Sequence, residues 1–203
     1  SQTTIADIPV ESPIDLQVDY QTYELPQAIV HVVTIAPHSE AKLSLAVADE
    51  LETVAAIAQQ ESQTETVIAA INAGFFDPKN GKTTSYLVSQ GEIAGNPIDN
   101  ERLIENPDLQ AYLPSILNRS EFRQYQCSEP SAVPYKITHE ITQHSTPIPT
   151  DCQLNFAVGA GPQLLPTDTS TEEAFTDYEN GELIRDAIGS LQPNARSAVG
   201  IVR

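Results

Sequence analysis

Short apolar runs, separated by proline-rich and polar stretches, recur along the chain. Runs that are rich in β-branched residues and bounded by turn-forming residues are typical of strands. The run Val-Ile-Ala-Ala-Ile at residues 67–71 is too short for a good helix and predicts a buried strand. The predicted strands are residues 14–23, 28–35, 43–48, 67–71, 154–159 and 198–203, and residues 86–95 predict a hairpin.

Helical periodicity is clearest at residues 49–62, where Leu51, Val54 and Ile57 recur at a spacing of three. Residues 172–188 predict part helix and part loop. Several predicted strands follow one another without a helical crossover, which disfavours a doubly wound parallel sheet. The pattern therefore predicts an α+β fold, with a mixed and mostly antiparallel sheet and a few helices.

The domain organisation follows from two stretches of different character. Residues 1–15 are polar with two prolines and predict a loose N-terminal arm. Residues 99–151 are rich in Asn, Pro, Glu and Gln with weak periodicity, and predict an insertion with one short helix near residues 109–117. We therefore expect one domain over residues 16–203 that contains this insertion.

Composition then narrows the classes of partner. The 203 residues carry 28 acidic and 10 basic side chains, a net charge of −18. Nucleic acids and anionic membrane surfaces both need clustered Lys and Arg, so neither is an expected partner. No run of about 18 apolar residues predicts a membrane span. The chain contains no Met, which favours a processed or truncated chain, and its last apolar run predicts a strand cut short.

The two cysteines, Cys127 and Cys152, form no CxxC pair and no metal set. They are either a disulfide of an oxidising compartment or two free thiols, and their polar, loop-like flanks favour the disulfide. A disulfide predicts a secreted, periplasmic or cell-surface protein.

His139 and His144 lie five residues apart in the predicted insertion, and a metal site there is the less favoured alternative to ordinary structural histidines.

Three motifs carry candidate chemistry, and each has a structural alternative. Residues 72–77, Asn-Ala-Gly-Phe-Phe-Asp, follow a predicted buried strand, where sheet proteins place ligand-binding groups. The alternative is an Asx-Pro turn. Residues 158–162, Val-Gly-Ala-Gly-Pro, predict either a backbone nest for an anion or a close-packed turn. Arg196 precedes the last apolar run and predicts either a phosphate contact or a salt bridge.

Taken in order, these motifs resemble the phosphodiester glycosidase family, which includes bacterial exopolysaccharide-related proteins. The family pattern is Asn-Gly/Ala-Gly-Phe-Phe, then Gly-Gly/Ala-Gly-Pro-x-Leu, then Arg-Thr/Ser-Ala-x-Gly, and the resemblance covers residues 43–202. Residues 99–151 depart from it. The family also continues beyond the third motif with strands, a helix and an Asp-Gly-Gly-Gly-Ser motif. The resemblance thus implies that the domain is C-terminally incomplete, that a second polypeptide could supply the rest, and that the chain alone is inactive.

The resemblance implies a hydrolase that cleaves a sugar 1-phosphodiester in a glycoconjugate or polysaccharide. Arg196 would bind the phosphate, Asn72 would bind sugar or phosphate, and Asp77 would be a base, an electrostatic stabiliser or an ion ligand. The general acid stays unassigned and a divalent cation as cofactor stays open. The alternatives are a non-catalytic carbohydrate-binding protein on the same fold and an α+β domain whose motifs are all structural. The expected binding residues are Gly74, Gly159, Gly161, Arg196 and Ser197.

Overall fold

The computed structural model describes residues 17–128 and 135–202, and the predicted N-terminal arm lies outside them. The chain divides into two compact units, with the boundary after Leu43. In the first unit, β1 (Val18–Leu25) and β2 (Ala28–Ile35) form an antiparallel hairpin. The ring of Tyr20 stacks on that of His31 across the hairpin, and the Tyr20 hydroxyl lies 2.7 Å from His31 Nδ1. The strand prediction for residues 28–35 is confirmed.

The second unit, from residue 44 onward, contains all three helices of the described residues and seven strands. Helix α1 begins after Thr53, whose side chain accepts a hydrogen bond from the Ala56 N–H and so satisfies one donor of the first turn. In chain order the elements are α1 (Val54–Glu61), β3 (Leu87–Ser89), β4 (Glu92–Gly95), α2 (Glu101–Ile104), α3 (Leu113–Ile116), β5 (Ser120–Cys127), β6 (Lys136–Gln143), β7 (Cys152–Gly159), β8 (Thr176–Glu179) and β9 (Glu182–Asp186).

Five of these strands form one antiparallel sheet in the order β4-β3-β7-β5-β6, and β8 pairs with β9 as a separate hairpin. On one face of the large sheet, Phe122, Phe156 and Val158 are buried against each other. A second apolar cluster of Leu103, Ile116 and Ala174 lies under the short helices. The strands and helices together confirm the α+β class. None of the helices in residues 17–128 and 135–202 has the length and apolarity needed to cross a membrane.

The hairpin at residues 86–95 and the strand at 154–159 are confirmed as β3–β4 and β7, and the helix at 49–62 is present but shorter. The strand predictions for 43–48, 67–71 and 198–202 are wrong, because an apolar run forms a strand only where another strand pairs with it. The prediction of part helix at 172–188 is also wrong: this stretch forms the β8–β9 hairpin.

The stretch at residues 99–151 holds much more regular structure than its pattern predicted. The expected helix near residues 109–117 is the single turn of α3, but β5 and β6 supply two of the five strands of the main sheet. The polar face of β5 is buried rather than solvated: Glu121 and Arg123 are each 3% exposed and pair with one another at 2.8 Å. Because these charged residues pair with each other, they occupy buried positions where apolar residues are expected. The sequence of β5 therefore lacks the alternation of apolar and polar residues by which a half-buried strand is recognised.

The disulfide between Cys127 and Cys152 is present, as predicted, and joins directly opposed residues of β5 and β7. We expect the Cys127→Ser/Cys152→Ser double variant to lose about 3 kcal/mol of unfolding free energy, since the 25-residue separation sets the loop that the cross-link closes. Urea unfolding measures this loss, and the wild-type protein with and without reductant is the control. Equal stability of the two proteins without reductant would contradict the pairing.

Candidate functional site

The first and third motifs meet through side chains. The Ser197 hydroxyl donates a hydrogen bond of 2.5 Å to the Asn72 side-chain oxygen, across 125 residues of sequence. Both residues are exposed. The acceptor role of Oδ1 leaves the Asn72 amide N–H groups for other partners. Two motifs that the sequence analysis grouped only by their order are thus in direct contact.

The first motif also lies against the start of the second. Gly74 has a φ of +72°, which favours glycine, and a Cβ at this residue would lie 3.3 Å from Leu87 Cδ2 and 3.6 Å from Val158 Cγ2. The next residue, Phe75, donates its backbone N–H to Ser85 Oγ at 2.9 Å. These contacts place the first motif against strands β3 and β7.

Two backbone N–H groups of the second motif, and that of the residue after it, donate within the protein. Those of Gly159 and Ala160 donate to the carbonyls of Tyr86 and Ser120, at 2.8 and 2.9 Å. The N–H of Gln163 donates to Thr169 Oγ1 at 3.0 Å and to a carboxylate oxygen of Glu173 at 3.2 Å. The anion that this turn contacts is therefore a side chain of the same protein.

Glu173, which the sequence analysis did not single out, is 1% exposed. Its carboxylate accepts the backbone N–H of Ser120 at 2.8 Å, the hydroxyl of the same serine at 2.7 Å, and the hydroxyl of Thr169. Gly161 lies directly against it, with a φ of +109°, and a Cβ there would collide with the carboxylate and lie 2.8 Å from Phe175. Gly161 therefore matches the close-packed turn that was the alternative to an anion nest.

A buried arginine and two aromatic rings connect this carboxylate to the first motif. The Arg119 guanidinium lies 3.7 Å from the ring centroid of Phe175, and that ring packs against Phe75 at 5.6 Å. Arg119 donates to the backbone carbonyls of Glu173 and Ala174 at 3.0 and 3.3 Å. Burial, with a smaller contribution from Arg185, lowers the pKa of Arg119 to about 10, so it stays charged at neutral pH.

Arg196 is exposed and donates to two backbone carbonyls, that of Ile188 and, at 3.3 Å, that of Gly189. Within the described residues it forms no ion pair, so the salt-bridge alternative is not what the structure shows. Its charge is held in place by neutral groups and is not cancelled by a carboxylate.

Asp77 is occupied by its own turn and by an arginine. Its carboxylate accepts the Lys79 N–H at 2.8 Å and the Arg102 Nε–H at 2.7 Å. The Lys79 hydrogen bond, followed by that of Arg102, lowers the pKa of the Asp77 carboxyl below its usual value. This is the geometry of the Asx-Pro turn, and no hydrogen bond joins Asp77 to Asn72 among the described residues.

The two histidines of the predicted insertion do not share a site. His139 Nε2 lies 3.0 Å from the Gln124 amide, whereas His144 Nδ1 lies 2.5 Å from Glu121 and its ring stacks on Tyr86. Residues 121 and 124 project from opposite faces of β5. Residues 17–128 and 135–202 hold no group of three or more His, Cys, Asp or Glu side chains arranged for a metal ion.

The residues that sequence reasoning missed are Arg119, Glu173 and Phe175. Arginine is rare in this acidic chain, so the reasoning that singled out Arg196 would also have found Arg119. No sequence pattern marks Glu173, because two of its four donors belong to Ser120, 53 residues away, and a third to Gln163, ten residues away. Comparison with known proteins gives no relative of this chain: no protein-family model matches it, and no curated protein or solved structure is significantly similar to it.

The four donors to Glu173 predict a large effect of Glu173→Gln. A glutamine keeps the shape, but its NH₂ group must face a donor, which leaves buried groups unsatisfied and costs about 1–3 kcal/mol. Glu172→Gln is the matched control, because Glu172 is exposed, and we expect a change within about 0.5 kcal/mol. Chemical unfolding measures both, and equal effects would contradict the role of Glu173.

A comparison of Gly161→Ala with Gly181→Ala separates the cost of the packing collision from that of the strained backbone. Gly181 also has a positive φ, +84°, but nothing lies within 4 Å of a Cβ there. Gly181→Ala should therefore cost only the backbone term of about 1–2 kcal/mol. Gly161→Ala adds the collision with Glu173 and Phe175, for which we expect about 1–3 kcal/mol more. Thermal unfolding compares the two, and a smaller loss for Gly161→Ala than for Gly181→Ala would contradict the packing.

Proposed function

We propose that this chain contributes the binding face of a hydrolase that cleaves a sugar 1-phosphodiester, releasing the sugar and leaving a phosphomonoester. The proposal is carried by the contact between Asn72 and Ser197, which joins two motifs of the phosphodiester glycosidase pattern. It is supported by the packing of Gly74 against Val158, which brings in the third. Convergence of three motifs from distant parts of a chain favours a shared site.

Arg196 and Asn72 are the groups that we assign to the substrate. A guanidinium held by neutral carbonyls retains its full charge for a phosphate, and two of its N–H groups can bind two phosphate oxygens together. Asn72 accepts from Ser197 through Oδ1, so its NH₂ group is left to donate to a sugar hydroxyl or phosphate oxygen. The sugar 1-phosphodiester offers both kinds of acceptor.

Gly159 and Gly161 receive a packing role in this proposal. The N–H groups of Gly159 and Ala160 already donate to carbonyls, and the Glu173 carboxylate beside the turn would repel a phosphate. Asp77 keeps its negative charge at neutral pH and acts through electrostatics. The Arg102 guanidinium already balances this negative charge, which disfavours Asp77 as a ligand to a divalent cation.

A carbohydrate-binding protein without catalysis is the second candidate. The groups assigned to the substrate are an amide and a guanidinium, which bind and orient a sugar phosphate but are not proton donors for a leaving group. The Cys127–Cys152 disulfide supports a secreted, periplasmic or cell-surface location for either candidate, since such bonds persist in oxidising compartments. An extracellular polysaccharide or glycoconjugate would then be the accessible substrate.

The test uses the intact native protein and a panel of hexose 1-phosphate methyl diesters, with released reducing sugar as the readout. We expect Arg196→Ala to lower kcat/KM about 100-fold, as for loss of a charge-stabilising donor, with partial recovery in Arg196→Lys. Asn72→Ala should lower it about 10-fold, for loss of a hydrogen bond. Gln153→Ala, an exposed amide on β7, is the control and should leave kcat/KM unchanged.

The outcomes distinguish the two candidates. Sugar release that depends on Arg196 supports the hydrolase. Saturable binding of the diesters without release, lost in Arg196→Ala, supports the binding protein. Activity that is unchanged in both Arg196→Ala and Asn72→Ala rejects the assignment of these residues.

A further inference from the structure

An apolar groove of about 680 Å³ lies between helix α1 and residues 67–70, apart from the contacts described above. Its lining is mostly apolar: residues 67–70 on one side and, on the helix side, Val54, Ala55 and Ala58 with the polar Gln59 and Ser62. Helix α1 buries none of its residues, and Ile68 is 50% exposed. The groove is thus an apolar surface between a helix of small side chains and a run of strand-forming residues.

One side of the groove, residues 66–71, has backbone groups without a hydrogen-bonding partner in the part of the chain that the structure describes. Residues 66–71 form no hydrogen bond with any other part of the chain that the structure describes. Buried backbone groups are nearly always paired, and an exposed row of them is a template for another strand. The sequence Val-Ile-Ala-Ala-Ile has the composition of a strand, so it needs only a partner strand to become one.

The charged residues near the groove in sequence indicate the charge that its partner carries. Residues 44–71 contain no Lys, Arg or His, and all of their acidic side chains are exposed and outside any ion pair of the described residues. The acidic residues are Asp49, Glu50 and Glu52 before α1, Glu61 at its last position and Glu65 after it. These five carboxylates flank the groove-lining residues along the sequence and are called the acidic rim below. Lys or Arg beside an apolar strand would complement their charge.

The same charges argue against other occupants. A second copy of the chain would bring another net charge of −18 and an identical acidic rim. Residues 1–16 and 129–134 contain no Lys or Arg in their sequence, so they offer no complement either. Only a partner of opposite charge gains from both the apolar floor and the acidic rim.

We propose that this groove binds an extended, apolar peptide segment flanked by Lys or Arg, which adds as a β-strand to residues 67–71. Backbone hydrogen bonds to the added strand supply affinity, its apolar side chains enter the groove, and its terminal cations meet the acidic rim. None of the residues assigned to the sugar phosphate line the groove, although Asn72 directly follows residues 67–71.

The test measures fluorescence anisotropy of labelled 11-residue peptides with the native protein. The probe has seven alternating Val and Thr residues between two Lys at each end. In one control the central residue and the one after it are Pro, which removes two backbone donors, and in the other Glu replaces every Lys. We expect saturable binding of the Lys probe and at least 10-fold weaker binding of each control, with the Lys–Glu difference shrinking in 0.5 M salt.

A matched pair of variants locates the binding. Ile68→Ser removes an apolar side chain from the groove and should weaken the Lys probe about 5- to 10-fold. Ile93→Ser makes the same change on β4, at a residue that is 72% exposed, and should leave binding unchanged. Absence of binding, equal binding of the Pro or Glu peptide, or equal effects of the two variants would overturn the proposal. Self-association of the protein that is lost in Ile68→Ser would assign the groove to a second copy and also overturn it.

Discussion

The Glu173 carboxylate joins distant stretches of chain at one buried point, and the arrangement of the motifs depends on it. Its donors are Ser120 at the start of β5, Gln163 after the glycine turn, and Thr169. A buried carboxylate without donors costs several kcal/mol, so these groups must come together for the charge to be tolerated. The glycine turn is therefore ordered by a side chain that is distant in sequence.

From that point the contacts extend to the first motif through a guanidinium and two aromatic rings. Arg119 lies over Phe175, and Phe175 packs on Phe75, one residue after Gly74. Gly161 has to be small because the carboxylate and the Phe175 ring occupy the space where its Cβ would be. The glycines of the second motif thus serve close packing, and this packing holds the backbone that carries the first motif.

Local patterns predicted the elements whose residues show a local signal. The β3–β4 hairpin and β7 combine β-branched runs with turn residues. The sequence of β5 does not look like that of a strand, because Glu121 and Arg123 pair with each other inside the protein. The run at residues 67–71 has strand composition without a strand, since pairing is not a local property. For the candidate site, motif order grouped Asn72 and Ser197, which the structure places in contact, but it gave no sign of Glu173, whose donors include Ser120, 53 residues away.

Four arginines of this acidic chain differ in how their charge is balanced. Arg102 and Arg123 are paired with carboxylates, and Arg119 is buried against carbonyls and an aromatic ring. Arg196 combines exposure with neutral partners, so its positive charge is not cancelled nearby. Because the surrounding field is negative, a phosphate is attracted only within short range of such a cation. The net charge of −18 is therefore compatible with the phosphate contact proposed for Arg196.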